Sequence, residues 1–237
     1  MASSKSFGTK KPVHQHLVAG SGGLSGEITD LREDVEGAFK SIEDLNAATG
    51  TNPLCVQEWI DPVAANTAGL EAATATQTSP RTVTTFLSGG VAALAAAPRN
   101  ITFTTGGTTP SDAPATATIT GTDINGAALT ETVNLSQVAG TAAGVKAFKT
   151  VTSIAYVAGD GTNATVSIGF GSVFGLAKKA KVRAGGVGVV TELVDGSRVT
   201  TGAFTSPTDS PPNGTYTPAT APNGAHDYAV YYEKDMS

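Results

Sequence analysis

The chain is predicted to be mainly β: an antiparallel β-sandwich or barrel body, preceded by an extended N-terminal arm and one short amphipathic helix. Three observations carry this. From residue 81 onward, short segments alternate apolar residues with Thr, the pattern of a strand with one buried face. Clusters of Gly, Asn and Asp separate those segments, as tight turns require. A helical apolar period is sustained in one place only, residues 24–45. Forty per cent of the 237 residues are hydrophobic, but aromatics are 6% and charged residues 15%, so the polar surface is expected to be hydroxyl and amide rather than ionic.

Taken in order, residues 1–23 (MASSKSFGTKKPVHQHLVAGSGG) form the arm. Ser, Lys, Gly and Pro12 resist helix, and Gly20-Ser21-Gly22-Gly23 is a joint. Such a segment lacks the apolar content to fold alone. Phe7, Val13 and Leu17 are its candidate anchors on a partner, and Lys5, Lys10 and Lys11 its candidate ion-pairing groups. Residues 24–48 follow as the helix. Leu24, Ile28, Leu31, Val35, Ala38, Ile42 and Leu45 recur in alternating steps of four and three, which makes one narrow stripe on a heptad period. Glu27 and Arg32 flank the stripe, while Gly37 interrupts the helix and Phe39 widens its apolar face. Three coverings of the stripe stay open: identical helices in a dimer or trimer, the chain's own β-body, or another protein.

Asn46 to Pro53 is a break dense in turn formers. The body is assigned to residues 51–177, and residues 178–237 to a C-terminal β-rich region packed with it. Leu54–Ile60 is a strand closed by Asp61-Pro62, with Trp59 as an anchor of a core or an interface. Residues 63–80 and 91–97 are Ala-rich and ambiguous. Strands are expected at 82–87, 100–104, 115–120 and 128–135. The last two form a hairpin across Gly121–Gly126, whose Asn-Gly pair tolerates positive φ. A second hairpin is expected to join 151–157 to 164–170, and a third to join 181–194 to 199–204 through Asp195-Gly196. Gly185, Gly186 and Gly188 predict a bulge or a close backbone approach in that third hairpin. Five prolines mark 205–224 as a surface segment around a short strand at Tyr216, and Tyr228–Tyr232 is the final strand.

Net charge is −5 but unevenly placed. Residues 1–20 carry three lysines and no acid, whereas residues 21–50 carry seven acids against Arg32 and Lys40. A basic cluster, Lys178 to Arg183, suits either an acidic partner or a solvated edge strand. There is no basic surface with interleaved aromatics, so nucleic acid is not an expected partner. The single cysteine, Cys55, excludes an internal disulfide or a cysteine metal cluster. No apolar run approaches a membrane span. The N-terminus has no apolar signal core, which predicts a chain kept in the cytosol until assembled.

Sequence patterns for chemistry are sparse. His14 and His16 form an H-x-H pair without a nearby third ligand. Gly20-Ser21-Gly22-Gly23 lacks the Gly-Lys-Ser/Thr ending of a phosphate loop. No nucleophile-elbow sequence occurs. Asn100, Asn163 and Asn213 start N-x-T triplets, expected to be chance matches in a Thr-rich chain. No catalytic residue, metal site or cofactor is predicted, and the expected class is non-enzymatic.

The run GTDINGAALTETVNLSQVAGTAAGVKAFKTVTSIAYVAGDGTNATVSIGFGSVFGL resembles β-rich structural proteins of tailed-bacteriophage virions. In those, a G-x-D-x-x-G hairpin precedes an aliphatic-Thr strand, then K-x-F-K-x-V-x-S and a Gly-rich hairpin. Here the corresponding residues are Gly121–Gly126, Thr130–Leu135 and Lys146–Ser153. The ending NGTYTPATAPNGAHDYAVYYE is similar to such proteins too. The resemblance covers about half the chain and leaves out the arm and the heptad. It implies a virion protein, a capsid decoration or cement protein whose partner is the major capsid protein or another virion protein. A neck, tail or fibre component is the first alternative, and a carbohydrate-binding module, disfavoured by the single Trp, is the second.

Overall fold

Strand β1 (Leu54–Trp59) opens the computed structural model, which describes residues 54–76, 78–109, 111–160, 164–183, 186–187, 189–205 and 213–235. The arm, the heptad segment and the Asn46–Pro53 break lie outside the described residues. Among the described residues, strands make up 55% and helix 6%, and each strand pairing is antiparallel. The prediction of a mainly β, antiparallel fold therefore holds.

After β1 come β2 (Asn66–Ala75), β3 (Arg81–Val83), helix α1 (Ser88–Ala96), β4 (Arg99–Thr105), β5 (Thr116–Thr122) and β6 (Ala128–Asn134). Then follow β7 (Gly140–Phe148), β8 (Thr150–Tyr156), β9 (Thr165–Gly175), and the two-residue strands β10 (Val182–Arg183) and β11 (Gly186–Val187). The chain ends with β12 (Val189–Val194), β13 (Ser197–Val199), β14 (Ala203–Thr205), β15 (Thr215–Thr217) and β16 (Tyr228–Glu233). A central sheet has the order β14-β15-β9-β4-β7, with β2 also on β9. A flanking sheet has the order β3-β8-β5-β6, and a terminal sheet β1-β16-β12-β13. Among the described residues, β10 and β11 form a two-stranded sheet of their own.

The first core lies between the central and flanking sheets. Ile101, Phe103, Val166, Ile168 and Phe170 meet Val83, Ile119, Leu129, Val133 and Ile154 there, with Leu70 and Leu94. The second joins the terminal sheet to the far end of β9: Trp59, Val194, Tyr228, Val230 and Tyr232 pack on Phe174, Leu176 and Tyr216. Strand β9 thus runs through both cores, and residues 52–237 form one compact unit. Glu131 on β6 accepts hydrogen bonds from Val145 N (2.7 Å) and Lys146 N on β7, where the β4–β7 register breaks. A carboxylate there replaces a stretch of backbone ladder, and the sheets curl into a half-barrel.

Several local expectations need correction. Residues 151–157 and 164–170 are strands, but not a hairpin. β8 pairs with β3 and β5, whereas β9 pairs with β4, β2 and β15. The connecting loop is caught by another loop, Asp160 N donating to Ser111 O at 3.0 Å, so the chain crosses between sheets. Strand β3 stops at Val83, and residues 88–96 are helical. Their Ala-rich run favours helix, Leu94 faces the core, and Pro98 lies just past the end. In the third hairpin β12 pairs with β13 through Asp195 (φ 51°) and Gly196 (φ 73°), the paired positive φ of a tight two-residue turn. Phe204, however, belongs to β14 and pairs with Tyr216 on β15. In the β5–β6 hairpin only Gly126 has positive φ (83°). Asp123 Oδ1 holds that turn by accepting from Asn125 N and Ala127 N, both at 2.9 Å. A bulge does occur, between Val189 and Thr191; Gly185 and Gly188 lie outside the described residues.

Candidate functional site

On β5 the inward residues Ala117, Ile119 and Gly121 are buried, which sends Thr116, Thr118, Thr120 and Thr122 to the outer face. β6 does the same: Leu129, Glu131 and Val133 point in, while Ala128, Thr130, Thr132 and Asn134 point out. Backbone register aligns these into rows. Thr82, Ala155, Thr118 and Thr132 form one row; Ser153, Thr120 and Thr130 the next; Thr150, Thr122 and Ala128 a third. Hydroxyls bond across the rows, Thr118 Oγ1 to Thr132 Oγ1 at 3.1 Å and Thr122 Oγ1 to Thr150 Oγ1 at 2.7 Å. Thr152 Oγ1, at the β8 bulge, donates to Thr120 O at 3.0 Å. The outcome is a hydroxyl-rich face on a four-stranded sheet, with the Lys146 ammonium at its β6 edge, where Nζ donates to Thr130 O at 2.6 Å.

The buried charges elsewhere serve the fold. Arg99 is fully buried, with its guanidinium 5.4 Å from the Phe170 ring centroid and 4.8 Å from that of Phe174. Trp59 stacks on Phe174 at 4.6 Å. Arg99 Nη1 donates to Val63 O at 2.6 Å, and burial lowers its pKa to about 10. Glu192 Oε2 accepts from Tyr216 Oη (2.5 Å) and Gly202 N (2.8 Å), and burial first, then Glu192, pushes the Tyr216 pKa up. Asp112 caps its own loop by accepting from Thr109 Oγ1, Thr108 N and Thr109 N, which lowers its pKa to about 2. Burial raises the pKa of Glu131 against the opposing pull of its backbone donors.

An open groove of about 630 Å³ lies between Val63–Gly69 and the start of α1, with Phe170 in its lining. None of its lining residues is titratable. Among the described residues, no group of three His, Cys, Asp or Glu is placed to hold a metal ion. His226 Nδ1 sits 2.6 Å from Asp195 Oδ2 beside the β12–β13 turn, an exposed pair. Of the N-x-T triplets, Asn100 is buried and committed: Nδ2 donates to Gly144 O and Oδ1 accepts from Val173 N. Asn213 Nδ2 donates to Ala177 O, and Asn163 lies outside the described residues. In the basic cluster, Lys179 pairs with Asp235 at 2.8 Å while Lys178 is exposed.

The residues predicted from sequence to bind partners fall outside the described residues. These are Lys5, Phe7, Lys10, Lys11, Val13 and Leu17 of the arm, and Leu24, Ile28, Leu31, Val35, Ala38, Ile42 and Leu45 of the heptad, as are His14 and His16. Sequence reading did not single out the hydroxyl face, although its signal was present: TATITGT places Thr at every second position, and ALTETVN places Ala, Thr, Thr and Asn there. No family model, no curated protein and no solved structure matches the chain.

Proposed function

We propose that this protein is a non-enzymatic component of a tailed-bacteriophage virion, a decoration or cement protein that binds the head shell. The hydroxyl face of the β3-β8-β5-β6 sheet is the observation that supports it. Thr side chains are short and β-branched, so they lose little rotamer freedom when covered. Cross-strand hydroxyl bonds fix them further. A hydroxyl-rich sheet face of this kind suits contact with a broad protein surface better than capture of a small molecule, which calls for a concave, largely apolar site. Contacts of modest strength become durable when many copies bind a repeating lattice and each copy engages through more than one element. The arm, with Lys5, Lys10 and Lys11, is the second element, and the heptad stripe links copies to one another. The partner in this reading is the major capsid protein.

Co-sedimentation with heads lacking the protein tests this. The full chain binds and is displaced progressively by salt, because screening weakens the lysine contacts. A chain lacking residues 1–23 keeps the far-UV circular dichroism of the β-body but no longer co-sediments. Equal occupancy by the truncated chain would remove the arm from the binding account.

A further inference from the structure

The outer face of the terminal sheet carries a second surface. Its inward residues Cys55, Trp59, Glu192, Val194, Tyr228, Val230 and Tyr232 pack in or against the second core or are buried, so their neighbours in each strand point out. One outward row crosses all four strands in register: Glu58, Ala229, Leu193, Arg198. The next is Val56, Tyr231, Thr191. Val56 is 47% exposed, and Tyr231, Ala229 and Leu193 are half-buried. Along these two rows the middle of the face is apolar apart from Thr191, with an acid at one end of the first row and a base at the other; Glu233 lies one row further on, on β16 opposite Leu54. Glu58 and Arg198 are three strand spacings apart, about 14 Å, too far to pair within one chain. Neither has an ion-pair partner among the described residues.

The geometry points to a second copy of this chain as the occupant, packed face to face about a two-fold axis running along the strands. That operation lays β1 over the partner's β13 and β16 over the partner's β12. Glu58 then meets the partner subunit's Arg198, Arg198 meets the partner subunit's Glu58, and Ala229 and Leu193 meet across the middle. A self-complementary patch is what an isologous contact requires. Aligned packing of two antiparallel sheets at about 10 Å is a common arrangement. The patch spans roughly 20 by 20 Å, which places it at the small end of specific interfaces, so the pairing is concentration-dependent. This surface is independent of the heptad stripe and of the head-binding reading.

Sedimentation equilibrium on the full chain, up to high micromolar concentration, tests it with charge reversals at exposed sites. Glu58→Arg leaves two bases on the row, and Arg198→Glu leaves two acids. Each variant alone is expected to show half the mass of the wild-type assembly, with an unchanged thermal midpoint. Mixing the two variants restores the mass, because each acid then faces a base, and the Glu58→Arg, Arg198→Glu double variant restores it within one chain. Mass unaltered by either reversal, including a wild type that is already monomeric, overturns the proposal and leaves the face to a different protein. Loss of mass that neither the mixture nor the double variant recovers also overturns it.

Discussion

At the scale of single residues, the charges buried in this protein are tied to backbone and aromatic partners. Arg99 illustrates the balance. Its guanidinium stacks between Phe170 and Phe174, but Nε and Nη2 are buried without partners. An unpartnered buried donor is costly, whereas the aliphatic stem and flat head fill space. Arg99→Ala should therefore destabilise by about 2–5 kcal/mol through the cavity it leaves. Arg99→Met, which keeps the volume and sheds the unpaired donors, should cost far less. Urea unfolding of the two variants checks the order, and equal costs would show that the guanidinium itself is what matters. Glu131 separates charge from hydrogen bonding in the same way. Glu131→Gln retains an acceptor for Val145 N and Lys146 N, while Glu131→Ala orphans both donors and should cost about 1–3 kcal/mol.

The pH response belongs to this scale as well. Asp112 has a folded pKa near 2, below its ordinary 3.8. Its contribution is thus fully present above about pH 4 and is lost as pH falls towards 2. Asp195 is also lowered, by the Asp227 backbone donor and then by His226, and acts in the same direction. Glu131 is raised by burial, so its ionised form is less favoured in the fold than in the unfolded chain and it acts in the opposite direction. Asp112→Asn should flatten the acid limb of the stability curve below pH 4, read as thermal midpoint against pH. An unchanged limb would mean that the Thr108–Thr109 cap carries no proton-linked stability.

At the scale of elements, packing rather than propensity decides the outcome. The two glycines opening α1 show this. A Cβ on Gly89 would meet open space, whereas one on Gly90 would land on Gly69 O. Gly89→Ala should stabilise by about 0.5–1 kcal/mol through helix propensity. Gly90→Ala should destabilise by at least about 1–3 kcal/mol, because helix and strand must separate. Thermal melts of the pair test this, and a stabilising Gly90→Ala would contradict the close approach. The same contrast explains what the sequence made legible. Segments with strict alternation, 116–122 and 128–134, announced themselves as strands, and so did the final strand from Tyr228. Residues 140–148 (GTAAGVKAF) carry too little apolar contrast to mark β7, and their pairing with β4 is a tertiary fact. The 151–157 and 164–170 segments were recognisable as strands, but their partners were not. Turn chemistry between two strands looks alike whether the chain returns in the same sheet or crosses to another. The hydroxyl face was visible as a Thr period, yet only the β3-β8-β5-β6 register turns that period into rows.

At the scale of the molecule, β9 ties two cores together, with Val166, Ile168 and Phe170 in one and Phe174 in the other. A body joined this way should unfold in one step. Trp59 reports on the second core through its fluorescence, and circular dichroism reports on all strands. Coincident urea transitions are expected; an earlier fluorescence transition would show the terminal sheet opening alone. The proposed role depends on the hydroxyl face, the lysine arm and the heptad stripe acting together over a repeating surface. The measurement that tests this most directly is the number and position of bound copies on purified heads, counted by quantitative mass spectrometry and located by cryo-electron microscopy. The account predicts many copies spread over the shell, each contacting the major capsid protein. A single ring of copies confined to one vertex or to the tail, or no bound copies, would contradict it.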